Sequence, residues 1–445
     1  MHRLRSVILA LLVLTCCLAA TLPASAQSCV ASSSWVNNPQ LPTSINPTSL
    51  CSFFQFSWQE FLALTEPAGL RTGQLVFETY MSADGVFVGN GQTPRKWGNE
   101  PWPLTLGGIT KQAGSGFDLV AQSGAEVQFD LSFNQPMYDY VVNNKLYNQN
   151  CFLAGAGSTS IGNIHLPPTT NVPTTVEAIE LKTAWLPMAK CDRTKYHCTI
   201  AKVNGQAAQV GLIGIHIVQK LPNHQEWIWT TFEHVANAPQ CTPVDAPPSG
   251  YNAWNFFDQS FVAAGQDCDV CPNPTDPTGE DSGDTPCDVT TQCNTWINET
   301  AEPNICRVAD LLPDVTSINQ SVWSLLPQNS VWRNYMLVGS VWFNPGLTQP
   351  AAASGPLAGS TGLSNSVMES YTQNTGSSQQ SCFTCHTSSY KSTMGNQHAD
   401  FSHMFSRIQQ TDAITCPTLT TQSSHGDATV PVTAVKPVGS HGGSN

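Results

Sequence analysis

The 445-residue chain holds only 11% charged residues against 32 Gly, 31 Pro and 16 Cys. That balance excludes coiled coils, long-helix bundles and charge-driven disorder, which all need many Glu, Lys and Arg. A formal charge of -13, with 18 Lys and Arg in all, argues against nucleic acid as a partner, because phosphate neutralisation needs clustered cations. Anionic membrane surfaces are disfavoured for the same reason.

Residues 1–26 follow the order of a secretory signal: Arg3 and Arg5, an apolar run from Val7 to Ala20, then Ala24-Ser25-Ala26. Cleavage is expected after Ala26, which removes both Arg and takes the formal charge from -13 to -15. The apolar run is too short for a lasting membrane anchor, and no later stretch approaches about 18 uninterrupted apolar residues. A periplasmic or secreted bacterial protein with no transmembrane segment is the expectation.

Residues 27 to 51 are rich in Ser, Pro and Asn and read as an irregular lead-in. Phe53 to Leu64 suits a short buried helix. Nine stretches rich in Val, Ile, Thr and aromatics then read as strands: Gln74–Tyr80, Gly85–Gly89, Phe117–Ala121, Glu126–Phe133, Tyr138–Val142, Val176–Trp185, Cys198–Val203, Val210–Val218 and Trp227–Val235. Cys241 to Cys306 is a Cys-rich acidic insertion, in which Asp267, Asp269, Asp276, Glu280, Asp281, Asp284 and Asp288 offer oxygen ligands for Ca2+ or simply form a solvated acidic loop. Val331 to Phe343 returns as a strand. A linker over 351–361 leads to a segment over 362–416, with helices expected at Leu363–Tyr371 and Ala399–Gln409, and a patternless tail over 417–445. The fold class expected is α+β: a mainly antiparallel β domain over 27–350, sandwich- or barrel-like, fused to a small helical C-terminal segment.

The chemistry sits in that last segment, where Cys382-Phe383-Thr384-Cys385-His386 has the spacing of c-type haem attachment. The thiols of Cys382 and Cys385 would add across two haem vinyl groups, and His386 would place an imidazole nitrogen on the iron as proximal ligand. A short disulfide beside a His, or half a zinc site, are the plainer readings. Zinc would want a partner pair at similar spacing, and the other C-x-x-C, Cys268 to Cys271, lies far away in the acidic insertion. With Cys382 and Cys385 set aside and the two signal cysteines removed, twelve remain, enough for up to six disulfides in an oxidising compartment. Cys191 and Cys198, flanking the polar turn Asp192 to Lys195, are expected to pair with each other.

Several stretches carry a family resemblance: Phe56-Ser57-Trp58-Gln59-Glu60-Phe61-Leu62-Ala63-Leu64, Phe77-Glu78-Thr79-Tyr80, His216-Ile217-Val218, Pro222-Asn223-His224, Trp227-Ile228-Trp229, Phe232-Glu233-His234-Val235, Asn365 to Tyr371 and Ala399-Asp400-Phe401-Ser402. In this order they resemble a set of bacterial exported proteins labelled cytochrome c family proteins, with one C-terminal C-x-x-C-H. The resemblance implies covalent haem and export, and supplies no substrate. Two positions depart from the family: His403 stands where an apolar or aromatic residue is usual, and Ala236 where an acidic one is usual.

The sixth iron position decides between a closed electron-transfer site and an open one that takes small ligands. Met404, His398 and His403 are candidates downstream of the motif, beside Met394, which lies too close to fold back across the ring; Met368 reads as core. His216 and His234 form a rival pair as distal ligand, acid/base group or plain core histidines, sharing a face if their strands form a hairpin in a like-parity register. Glu233, Glu177 or Glu180 are the carboxylates expected to orient one of them. The aromatic pair Trp227 and Trp229 is suited to shielding a haem edge. The leading expectation is an exported mono-haem c-type cytochrome, an electron carrier or haem oxidoreductase served by a redox partner protein or a small-molecule donor or acceptor. The alternatives are a non-enzymatic haem sensor and a disulfide-rich binding or adhesion protein. No catalytic residue is assigned from the sequence.

Overall fold

The structure, a computed structural model, describes residues 29–47, 49–110, 118–156, 164–167, 177–240, 244–258, 305–307, 309–343, 357–370, 373, 382–386, 390–392, 395–397 and 399–419. The expected signal segment, the Asp267 to Asp288 stretch, Met394, His398, the side chain of Cys385 and the tail beyond 419 lie outside them.

One nine-stranded sheet organises the chain. Its strands are β1 (Met81–Ser82), β2 (Leu104–Leu106), β3 (Gln128–Phe133), β4 (Ile179–Met188), β5 (Cys198–Val203), β6 (Gln206–Leu221), β7 (His224–His234), β8 (Tyr335–Phe343) and β9 (Leu357–Gly359). The order is β1-β3-β4-β6-β7-β8-β9, with β5 also on β6 and β2 on β5. Every pairing is antiparallel except the short β2–β5 contact. Among the described residues β1 to β9 form this one branched sheet, ending at β1, β2 and β9, in place of the sandwich or barrel expected.

The two sheet faces are covered differently. The helix face is packed by α2 (Leu50–Leu64) and α6 (Pro313–Leu325), whose Phe53, Phe61, Val315 and Ile318 meet Leu181, Ile217, Phe232 and Leu337 of the sheet. Ser49 caps α2, its side chain accepting the Ser52 N–H, and the buried aromatic positions that follow drive the helix onto the sheet. The opposite face carries Val218, Trp227, Trp229, Val341 and Phe343, and the C-terminal segment packs there through Phe383, Phe401, Met404 and Phe405. We call this the C-terminal face. Short helices α4 (Gln135–Asn143) and α5 (Gln149–Gly155) complete its cover, while α1 (Ser33–Asn37) and α3 (Ala83–Val86) are local.

Strands expected at Gln74–Tyr80, Gly85–Gly89 and Tyr138–Val142 are instead a 3-10 turn at Phe77–Thr79, α3 and α4. At α4 the alternation of Tyr138, Tyr140 and Val142 is outweighed by capping: Asn134 accepts the Met137 N–H and Pro136 sits in the first turn, burying Met137, Tyr138 and Val141 as a helical stripe. Phe117–Ala121 contributes only an isolated bridge between Val120 and Glu126.

Among the described residues, the two helices expected in the C-terminal segment do not form. Leu363–Tyr371 is a run of turns through Ser370, and Ala399–Gln409 holds only a 3-10 turn at Met404–Arg407, because Asp400 and Phe401 adopt left-handed backbone conformations (φ 50° and 62°) that no helix passes through. The helix left is α7 (Cys382–His386), with a small ladder β10 (Tyr390–Ser392) and β11 (Gly395–Gln397). Residues 357–359 of the expected linker pair with β8 as its edge strand. Three disulfides are described: Cys191–Cys198, as expected, Cys29–Cys51, and Cys151–Cys416, which ties the end of the described chain to α5. Of the described residues flanking the acidic stretch, Trp254, Phe256, Phe257 and Ile305 are buried. Among the described residues no helix is long and apolar enough to cross a membrane.

Candidate functional site

Strand register brings two rows of side chains to the C-terminal face. Lys182, His216, Thr231 and Gly339 are successive partners across β4, β6, β7 and β8. One pleat along lie Glu180, Val218, Trp229 and Val341. The C-terminal segment lays its polar and aromatic groups on these rows.

Phe383, the first intervening residue of the C-x-x-C-H motif, anchors α7. It is 2% exposed and packs on Phe343 (centroids 4.2 Å) and Trp229 (5.8 Å). That places the His386 ring 4.3 Å from the Trp229 ring. His386 Nδ1 lies 2.8 Å from the carbonyl oxygen of Phe401. A carbonyl only accepts, so Nδ1 carries the hydrogen and the lone pair of the neutral ring resides on Nε2. Burial, reinforced by His403, pushes the His386 imidazole well below its ordinary proton affinity in spite of the Phe401 bond. The ring is therefore neutral at physiological pH.

The Phe401 carbonyl is aimed by its own turn. Asp400 is fully buried, pairs with Lys220 and accepts the Leu166 N–H at 2.7 Å, while the Asp400 carbonyl takes the Trp227 indole N–H at 2.8 Å. These bonds hold the left-handed pair Asp400-Phe401 against its conformational cost. Next along, Ser402 donates to Glu180 at 2.6 Å, and burial raises Glu180 to about 7 against that bond.

His216 Nε2 meets Glu369 Oε1 at 2.9 Å. Glu369 also accepts the Asn365 N–H at 2.9 Å, and Asn365 Nδ2 donates to Thr231 Oγ1 at 2.8 Å and to the Phe232 carbonyl. Burial opposes the charge of Glu369, but His216 and Lys182 outweigh it and keep the carboxyl below its usual range. The turn reaches His216 because Gly214, two residues away in β6, has no side chain: a Cβ there would lie 3.0 Å from Val367 Cγ2 and 3.2 Å from Met368 Cε.

The expected residues thus fall in distinct places. Cys382 is half-buried at the start of α7. His403 stacks flat on His386, centroids 3.9 Å apart and planes 15° apart, and burial, then Lys182, lowers it to about 4. Met404 and Met368 are fully buried core residues. His216 and His234 do not share a face: the β6–β7 register pairs His216 with Thr231, which sends His234 to the opposite side. There it stacks on Tyr196 at 4.0 Å, Nε2 bonds the Lys195 carbonyl and burial lowers it to about 3, which makes it a hydrogen-bonded core histidine. Leu212, four residues before His216, also lies on the helix face, because β6 bulges at Ile213.

Of the carboxylates expected to orient a histidine, Glu233 pairs with Arg307 and Ser366 and Glu180 with Ser402; at His216 Glu369 takes the role. Among the described residues no three His, Cys, Asp or Glu converge on one metal-ion position. Compared with known proteins, the chain matches no family model, no curated protein and no solved structure.

Proposed function

We propose that the chain is an exported mono-haem c-type protein, with haem attached through Cys382 and Cys385 and its iron held by His386, acting as a haem oxidoreductase. The observation that supports this most is the His386 tautomer: a half-buried, neutral imidazole whose Nδ1–H is tied to the Phe401 carbonyl, leaving the Nε2 lone pair for a metal. An outer hydrogen bond of this kind is what orients a ligating histidine and raises its basicity. A disulfide beside a chance histidine has no need of it. His403 covers a face of the His386 ring and leaves its Nε2 edge uncommitted by that contact.

When bound, such a group supplies one-electron chemistry at iron. The chain's own residues do the rest. Trp229 and Phe383 wall the His386 ring from water. The Lys220–Asp400 pair fixes the turn that holds its hydrogen. His216, oriented by Glu369 and bordered by Lys182, holds a proton at Nε2 on the same sheet face. That dyad favours an oxidoreductase over a bare electron carrier, since a carrier has no use for an oriented acid/base histidine. The three disulfides fit folding in an oxidising compartment, so the proposed location is periplasmic or extracellular.

Expression with haem-maturation machinery tests the reading. Denaturing extraction should leave haem on the polypeptide, and His386→Ala should keep the thioether links while altering the absorption spectrum. A chain with no covalently retained haem, or a His386→Ala spectrum identical to the parent, overturns it.

A further inference from the structure

A cleft of about 380 Å³ opens beside the end of β7 at Val235 and the start of β8 at Met336. Its volume is that of a small-molecule site. Arg307, Arg333, Asp245, Tyr251, Trp254 and Trp323 line it. The polar groups in these walls are unevenly matched. Trp254 is 6% exposed and its indole N–H has no acceptor; Arg307 is 7% exposed and its Nε–H has none either. The Nη groups of Arg307 are occupied by Glu233, Gln240 and the Ala238 carbonyl. Gln240 is used up on both sides, accepting from Arg307 and donating to Asp310. Arg333 gives Nη1 to the carbonyls of Trp323 and Leu326, and no acidic side chain pairs with it among the described residues.

A buried donor without an acceptor costs about 1–3 kcal/mol, and native structures rarely keep two beside one cleft. The missing complement is therefore acceptor-rich. It is also anionic, because Arg307 is paired with Glu233 while Arg333 pairs with no acidic side chain among the described residues, and Asp245, the remaining charge of the lining, is exposed to solvent. The remaining walls set the rings of Tyr251, Trp254 and Trp323 beside the apolar Val235, Pro248 and Met336. We infer that this cleft binds a small organic carboxylate with a planar apolar body, the carboxylate accepting from the guanidinium of Arg333 and the indole N–H of Trp254, and the body lying against Tyr251 and Trp323. A neutral sugar fits less well, since its hydroxyls bring as many donors as acceptors to walls already rich in donors. The inference is independent of the haem reading.

Isothermal titration of the full chain with benzoate, and with benzyl alcohol as its uncharged counterpart, tests it. Benzoate should bind saturably with a Kd below about 1 mM, and benzyl alcohol should not bind. Arg333→Lys keeps the charge but loses the planar fork, and should weaken benzoate about tenfold. Trp254→Phe removes the N–H and keeps a ring, and should weaken it about fivefold. Absence of saturable benzoate binding overturns the proposal. So do equal affinities in parent and both variants, or binding of the alcohol as tightly as the acid.

Discussion

Lys220 and Asp400, 180 residues apart in the chain, pair in the interior with side chains 3% and 0% exposed. Their bond sets the turn whose next carbonyl holds His386. Removing one partner of a buried pair leaves an uncompensated charge, which typically costs about 3–5 kcal/mol. Lys220→Met should therefore destabilise the protein by about that amount in urea titrations. It should also release the His386 Nδ1–H, seen as faster exchange of that proton by NMR. Lys220→Met with Asp400→Leu should recover much of the stability but not the Nδ1–H protection. If the single variant leaves both quantities unchanged, the pair does not position the turn.

Gly214 makes a second positional demand. A methyl group there would press on Val367 and Met368 at 3.0 and 3.2 Å, closer than side chains normally pack. Gly214→Ala should cost about 1–3 kcal/mol. Hydrogen exchange should speed at residues 365–369 and not in α2 on the opposite face, because the turn yields before the sheet does. Uniform acceleration across both would show that Gly214 matters to the sheet as a whole.

The readability of this site follows the range of each interaction. The C-x-x-C-H motif is local and marks His386 directly, and Cys191–Cys198 spans only 7 residues. Strands β4 to β8 are plain in their Val, Ile and aromatic content. Glu369 is invisible from His216 because 153 residues separate them and their meeting depends on a turn lying over Gly214. Glu180 and Glu233, closer to His216 in sequence, are committed to Ser402 and to Arg307 and Ser366. The parity error at His216 and His234 has a similar origin: hairpin register is set by the Leu221 to His224 turn, and a one-residue difference reverses a face. In the C-terminal segment, helical spacing was present without helix: buried bonds to Asp400 stabilise left-handed backbone that local propensity opposes.

Cys151–Cys416 closes a separation of 265 residues and fastens the end of the segment that bears His386 and His403. A cross-link over so long a loop restricts the unfolded chain strongly, and its loss typically costs about 2–5 kcal/mol. Cys151→Ser with Cys416→Ser should lower the urea midpoint. Limited proteolysis should then cut first within 399–416, leaving the sheet core to be cut later. Simultaneous loss of both regions would mean that the disulfide supports the whole fold and not this strap in particular.

Glu60 of α2 is fully buried on the helix face, and burial raises its carboxyl well above the ordinary range, with Thr230 as a partial offset. It is therefore protonated in the folded protein where the unfolded chain would be ionised. An acid whose folded pKa is raised contributes its full stability below the unfolded value, near about 4.3, and loses it as pH rises toward the folded value. Glu60→Gln keeps the shape and cannot ionise. Relative to the parent it should be nearly neutral at pH 4 and increasingly more stable as pH rises toward 8. Urea titrations of both proteins at pH 4, 6 and 8 give the difference directly, since other titrating groups are common to both. A difference that stays constant with pH would show that Glu60 is already ionised in the native core.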